Sequence, residues 1–88
     1  MIRRRLTVWG RVQGVWFRES TRHLAEREGV AGWALNQADG TVEAVFEGED
    51  AAVERLVAFC GKGPSGARVD GVDVTVEEPA GIAGFEIR

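Results

Sequence analysis

Apolar and polar residues alternate near the start of the chain and then fall into a helical period. Leu6 and Val8 alternate with Arg5, Thr7 and Trp9, which predicts a strand from Arg5 to Gly10 with one face on a core. Phe17, Thr21, Leu24 and Ala25 stand at i, i+4, i+7 and i+8 and predict a helix from Glu19 to Glu28. Gly29 suits the left-handed position that ends a helix, and His23 lies off the apolar face as an exposed residue. Val30 to Asn36 reads as a second strand. Gln37-Ala38-Asp39-Gly40 then forms a hairpin turn, with Asp39-Gly40 its strongest signal. In a third strand, Thr41 to Glu47, Val42, Ala44 and Phe46 face a core, while Thr41, Glu43, Val45 and Glu47 face away. Val53, Leu56, Val57 and Cys60 predict a second helix from Asp50 to Cys60, with Asp50 helping to cap it and Gly61, Gly63 and Pro64 ending it. Val72, Val74 and Val76 share one face of a fourth strand, Val69 to Glu77, and Phe85 to Ile87 is a short fifth.

The order β-α-β-β-α-β limits the topology. Each helix crosses between strands, and right-handed crossovers place both helices on the same face of the sheet. The expected fold class is α+β, a ferredoxin-like βαββαβ sandwich with two helices on one face of a four- to five-stranded, mostly antiparallel sheet. Strands one and three lie at the centre, with strand two beside strand three. Nothing in residues 1–88 reads as a linker, so one domain is expected over the whole range.

Composition narrows the function classes. The chain has 88 residues, 44% apolar and 28% charged, with a net charge of −3, which disfavours a nucleic-acid partner. No apolar run approaches the roughly 20 residues of a membrane span. Met1-Ile2-Arg3-Arg4-Arg5 is basic, but no apolar segment of a signal peptide follows, so a cytoplasmic protein without a membrane partner is expected. The three arginines read as a solvated strand entrance. Cys60 is the sole cysteine, which excludes an internal disulfide or a cysteine-cluster metal site; on a helix's apolar face it reads as a small hydrophobe.

Candidate chemistry lies between the first strand and the first helix, in Gly10-Arg11-Val12-Gln13-Gly14-Val15-Trp16-Phe17-Arg18. A strand, a glycine-bearing loop and a helix N-terminus in that order can hold an oxyanion. Gly14 can take a positive φ, so that loop N–H groups converge. The first-turn N–H groups of the helix lack internal partners, and its dipole adds partial positive charge. Arg18 offers a fork of donors suited to phosphate. The expected topology brings the end of strand two, and with it Asn36, to the same sheet edge. On spacing alone, a tight βα turn with a surface arginine fits equally well.

Two stretches together are more specific. Gly10 to Arg18 resembles the G-R-V-Q-G-V-x-F-R motif of the acylphosphatase family. Gly32-Trp33-Ala34-Leu35-Asn36, followed by Asp39-Gly40-Thr41-Val42-Glu43, is similar to that family's G-W-V-x-N-x-x-D-G-x-V-E, with Ala34 for Val the one departure. Gly84 to Arg88 also resembles the family's usual ending. The resemblance implies hydrolysis of acyl phosphates to a carboxylate and inorganic phosphate. It implies a phosphate-binding loop of Gln13, Gly14, Val15, Trp16, Phe17 and Arg18, and catalytic roles for Arg18 and for Asn36, which orients the attacking water. No covalent intermediate, metal or cofactor is expected. The partners expected are a small-molecule acyl phosphate and inorganic phosphate as product and inhibitor, acting on a monomer.

Other readings fit less well. A cysteine phosphatase needs a cysteine in the loop ending at Arg18, and a metallophosphatase needs grouped ligands that one histidine and scattered acids do not supply. A ferredoxin-like reader of single-stranded RNA would use aromatics such as Trp9 and Phe46, but the chain lacks the signature of such readers and is acidic. Acylphosphatase-like domains of carbamoyl-transfer or hydrogenase-maturation proteins accompany zinc-finger cysteines, which are absent here.

Overall fold

The computed structural model describes residues 1–88. Its elements are β1 (Ile2–Arg11), α1 (Phe17–Glu28), β2 (Ala31–Asn36), β3 (Val42–Gly48), α2 (Asp50–Lys62), β4 (Arg68–Glu77) and β5 (Phe85–Ile87). They form one five-stranded sheet in the order β4-β1-β3-β2-β5, antiparallel except for the β2–β5 pair. Two helices pack on one face of this open sheet, so the fold is the ferredoxin-like α+β sandwich expected from the element order. Leu6 and Val8 of β1 and Val42, Ala44 and Phe46 of β3 meet Phe17 and Ala25 of α1 and Val53, Leu56 and Cys60 of α2 in one core. Phe46 stacks on Phe85 at 5.9 Å, which seals the β5 side.

Register explains several departures from the sequence reading. Strand β1 begins at Ile2, because Arg3 pairs across β3 with Glu47 and across β4 with Glu77. Arg3 is therefore 9% exposed and does not form a solvated strand entrance. Its Nε donates to Glu77 at 2.9 Å and its Nη1 to Glu47 at 3.3 Å. Arg5 adds ion pairs to Glu43 at 3.0 Å and to Glu77 at 2.6 Å. The Trp33 ring lies beneath the guanidinium groups of Arg3, Arg5 and Arg88, at 5.2, 5.6 and 4.0 Å. This layer covers the face opposite the helices, so Val45 and Glu47 are buried rather than facing solvent.

Three smaller differences follow from local geometry. Helix α1 starts at Phe17, two residues before its expected start. Helix α2 is capped by Glu49, not Asp50: Glu49 is extended, and its carboxylate accepts from Ala51 and Ala52 N–H at 2.8 and 3.3 Å. On the edge strand β4, Val74 and Val76 lie beyond the helices' cover and are exposed.

Candidate active site

The chain leaves β1, turns through Gly14 and enters α1 at Phe17. Gly14 has φ 73° and open space around its missing Cβ, so it serves the turn's conformation rather than a close contact. Trp16 is the N-cap of α1, with φ 65° and ψ 22°, and no side chain caps the helix. Its carbonyl accepts from Ser20 N–H at 2.9 Å, while the first-turn N–H groups of α1 receive no side-chain acceptor. A pocket of about 360 Å³ opens at this junction, with Val12, Gly14, Trp16, Phe17 and Arg18 on the loop side and Asn36 also at its wall.

Arg18 forms no ion pair. One of its terminal nitrogens donates to the backbone oxygen of Arg88 at 3.3 Å, which leaves most of the guanidinium fork free. Glu19, which also lines the pocket, is paired with Arg22 at 3.0 Å. Asn36 ends β2, where its backbone is held by pairing with Val42. Its Oδ1 is buried and accepts no hydrogen bond from the protein. A buried acceptor without a partner is uncommon, and the residue that carries it lines the pocket.

Sequence reasoning placed Gln13 in the phosphate-binding loop, and its side chain turns elsewhere. Gln13 Nε2 donates to the carbonyl of Gln37 at 2.8 Å and to that of Thr41 at 2.9 Å. It thus joins the loop to the turn that follows Asn36. No local signal marks this bond; it depends on the pairing that brings residue 41 opposite residue 37. Val15 is also turned away from the pocket and joins the core. The turn itself is held by Thr41, whose N–H and hydroxyl donate to Asp39 at 3.0 and 2.7 Å. These bonds, the hydroxyl's first, hold the Asp39 carboxyl below the usual carboxylate range.

A second anchor acts through β5. The Glu47 carboxylate accepts from the N–H groups of Ala80, Gly81 and Ile82 at 2.8, 2.7 and 3.1 Å. These bonds, led by that of Ala80 and helped by Arg3, push its pKa down against the opposing effect of burial. The pinned segment leads into β5 and on to Arg88, the residue that meets Arg18. Cys60 takes no part: it lies in the core, and burial pushes its thiol up to about 12. No three His, Cys, Asp or Glu side chains are grouped as metal ligands, and no helix is long and apolar enough to cross a membrane.

Fold and site define a class: ferredoxin-like sandwiches with a pocket where the first strand passes into the first helix. The acylphosphatase family model matches residues 4–87. The chain is 62% identical over 86 residues to an acylphosphatase of Rubrobacter xylanophilus, a match that covers 96% of this chain and 77% of that one. It is 51% identical over 86 residues to an acylphosphatase of Gloeobacter violaceus, covering 98% and 92%. The crystal structure of acylphosphatase from Bacillus subtilis superposes with a TM-score of 0.95 at 35% identity, covering 100% of this chain and 99% of that chain. The chain belongs to the acylphosphatase family. Its enzyme activity is accordingly that of an acylphosphatase, and its substrates are small-molecule acyl phosphates.

Proposed function

We propose that water attacks the phosphorus of the acyl phosphate directly, with the phosphoryl group held by the backbone N–H groups of Gln13 to Arg18 and by the Arg18 guanidinium. The Asn36 side-chain amide orients the attacking water through a hydrogen bond. The new bond joins the water oxygen to phosphorus, and the bond from phosphorus to the acyl oxygen breaks. The carboxylate leaves with the bonding electrons and needs no proton. The water's proton passes to a phosphoryl oxygen, because an amide cannot act as a general base. No enzyme–substrate bond forms, and no metal or other cofactor enters the scheme. Phosphoryl transfer of this kind depends mainly on positioning and on charge stabilisation.

One observation carries this reading: Asn36, whose side-chain oxygen has no hydrogen-bond partner in the protein, lines the same pocket as Arg18, a guanidinium paired with no acidic side chain. Inorganic phosphate, as product and as a copy of the reacting group, binds the cradle and inhibits competitively. On this reading residues 1–88 act as one domain, monomeric and cytoplasmic, that engages neither nucleic acid nor membrane.

The test compares Arg18→Ala with Asn36→Ala for turnover of acetyl phosphate, inhibition by phosphate, and urea unfolding. Arg18→Ala loses both phosphate affinity and turnover. Asn36→Ala keeps phosphate affinity and loses turnover by about 10²–10³-fold, as for one lost oxyanion contact. If Asn36 only shapes the hairpin, Asn36→Ala lowers the unfolding midpoint and turns over normally per folded molecule. That result refutes the mechanism.

A further inference from the structure

Trp16 is the one residue other than glycine with a positive φ, and its side chain is 77% exposed. A bulky residue in the left-handed region carries strain that glycine would not. An indole held there in water is not a packing residue, so its position calls for another account.

The indole stands between two concavities. One is the pocket bordered by Arg18 and Asn36. The other is a groove of about 550 Å³ between α1 and Phe59 of α2, and the two share Trp16 and Glu19 at their walls. Leu24 and Phe59 give the groove apolar walls, with Ser20 between Trp16 and Leu24, and Arg27 at the far end. Trp16, Ser20, Leu24 and Arg27 follow one another at three- and four-residue steps, so they line one helix face over about 16 Å. Asn36 borders the pocket but not the groove. In a direct displacement the attacking and leaving oxygens lie roughly in line, on opposite sides of phosphorus. Water held at Asn36 therefore directs the acyl group away from Asn36, and the groove is the adjoining concavity that Asn36 does not line.

We propose that this groove is the acyl-group subsite, and that Trp16, Leu24 and Phe59 give the enzyme a preference for aromatic acyl phosphates. The inference rests on the phosphate and water positions proposed above. An aromatic acyl ring can lie against the indole face or edge and cover the apolar wall behind it. The methyl of acetyl phosphate is too short to gain either contact. The Glu19 carboxylate at the junction is paired with Arg22, so the passage between the two sites carries no free negative charge from it.

The test is the ratio of kcat/KM for benzoyl phosphate to that for acetyl phosphate, measured on the wild type, Trp16→Gly and Leu24→Gln, with urea unfolding of each. Trp16→Gly lowers the ratio about three- to tenfold, the worth of one aromatic pair. It also unfolds at the same or higher urea concentration, because glycine relieves the backbone. Leu24→Gln lowers the ratio as well and, per folded molecule, leaves acetyl phosphate turnover within about twofold, because Leu24 packs against the core and the groove but does not line the pocket of Arg18 and Asn36. If Leu24→Gln fails to fold, Trp16→Gly decides alone. An unchanged ratio in the folded variants, with both substrates still hydrolysed, overturns the groove and leaves the proposed mechanism standing. Failure of the wild type to hydrolyse either substrate overturns that mechanism and the groove together.

Discussion

Glu47→Ala removes the acceptor that joins Arg3 of β1 to the loop before β5. The side chain is 2% exposed and lies opposite Arg3. Its loss orphans the N–H groups of Ala80, Gly81 and Ile82 and one nitrogen of Arg3. Breaking a buried ion pair from one side costs about 3–5 kcal/mol. Two features favour the low end. Arg3 keeps its bond to Glu77 at 2.9 Å, and Ala80 and Gly81 are exposed, so their N–H groups can turn to water. The expected loss is about 3 kcal/mol, a large share of the roughly 5–15 kcal/mol of a typical domain. With a urea slope of about 1–3 kcal/mol/M, the midpoint falls by roughly 1–3 M.

Urea unfolding at neutral pH measures this directly, and Glu47→Gln separates charge from shape. Its amide keeps the volume but turns one donor toward a nest of donors, so it recovers only part of the loss. The pH dependence follows from the carboxylate's depressed pKa. Stability from Glu47 is fully present above the ordinary carboxylate value of 4.5 and is lost as pH falls through the lower folded value. The gap between wild type and Glu47→Gln therefore narrows below pH 4.5. A midpoint shift under about 0.3 M for Glu47→Ala, less than 1 kcal/mol on the same slope, refutes the idea that this carboxylate organises the loop before β5.

Two further outcomes concern the loop. Gly14→Val places a branched side chain at φ 73° in open space, so it distorts the cradle more than the core: a folded protein with weakened phosphate inhibition, checked by kinetics beside circular dichroism. Gln13→Leu removes the two bonds to the hairpin while both carbonyls keep a backbone donor, for about 1–3 kcal/mol in urea from the two lost bonds and a fall in kcat smaller than that of Asn36→Ala.

Periodicity made the core legible. The two-residue and 3.6-residue patterns found Leu6, Val8, Phe46, Leu56 and Cys60, and the element order restricted the sheet to one topology. The far face was not legible, because burial there depends on register. Glu47 and Val45 alternate outward as solvated residues would, until Arg3, Arg5 and Trp33 are known to stand beside them. Arg3 and Glu47 are separated by 44 residues, and nothing local to either marks the pair. The site divided in the same way. Motif and loop composition nominated Arg18, Gly14 and Asn36, and the fold brings the three to one pocket. The Gln13 tether and the left-handed Trp16 could not, since one is a tertiary contact and the other breaks a backbone preference that sequence reading assumes.

The bonds around the site share a pattern that bears on why so few side chains suffice for the proposed chemistry. A carboxylate leaving group removes the need for an acid, and a phosphoryl proton acceptor removes the need for a base, so placement carries most of the demand. Placement here is set by long-range contacts. Gln13 reaches 24 and 28 residues along the chain, Arg18 reaches 70, and Glu47 reaches 33 to 35. Each crosses between elements that a local helix or hairpin could not bring together. β5 is the weakest link, a three-residue edge strand paired on one side only. Its fraying would release Arg88 from Arg18 while the central strands remained paired. Of the anchors, the Glu47 nest is the one that acts directly on the segment leading into β5. That gives a buried carboxylate, far from the phosphate in sequence and unused in the chemistry, a part in keeping the arginine in place.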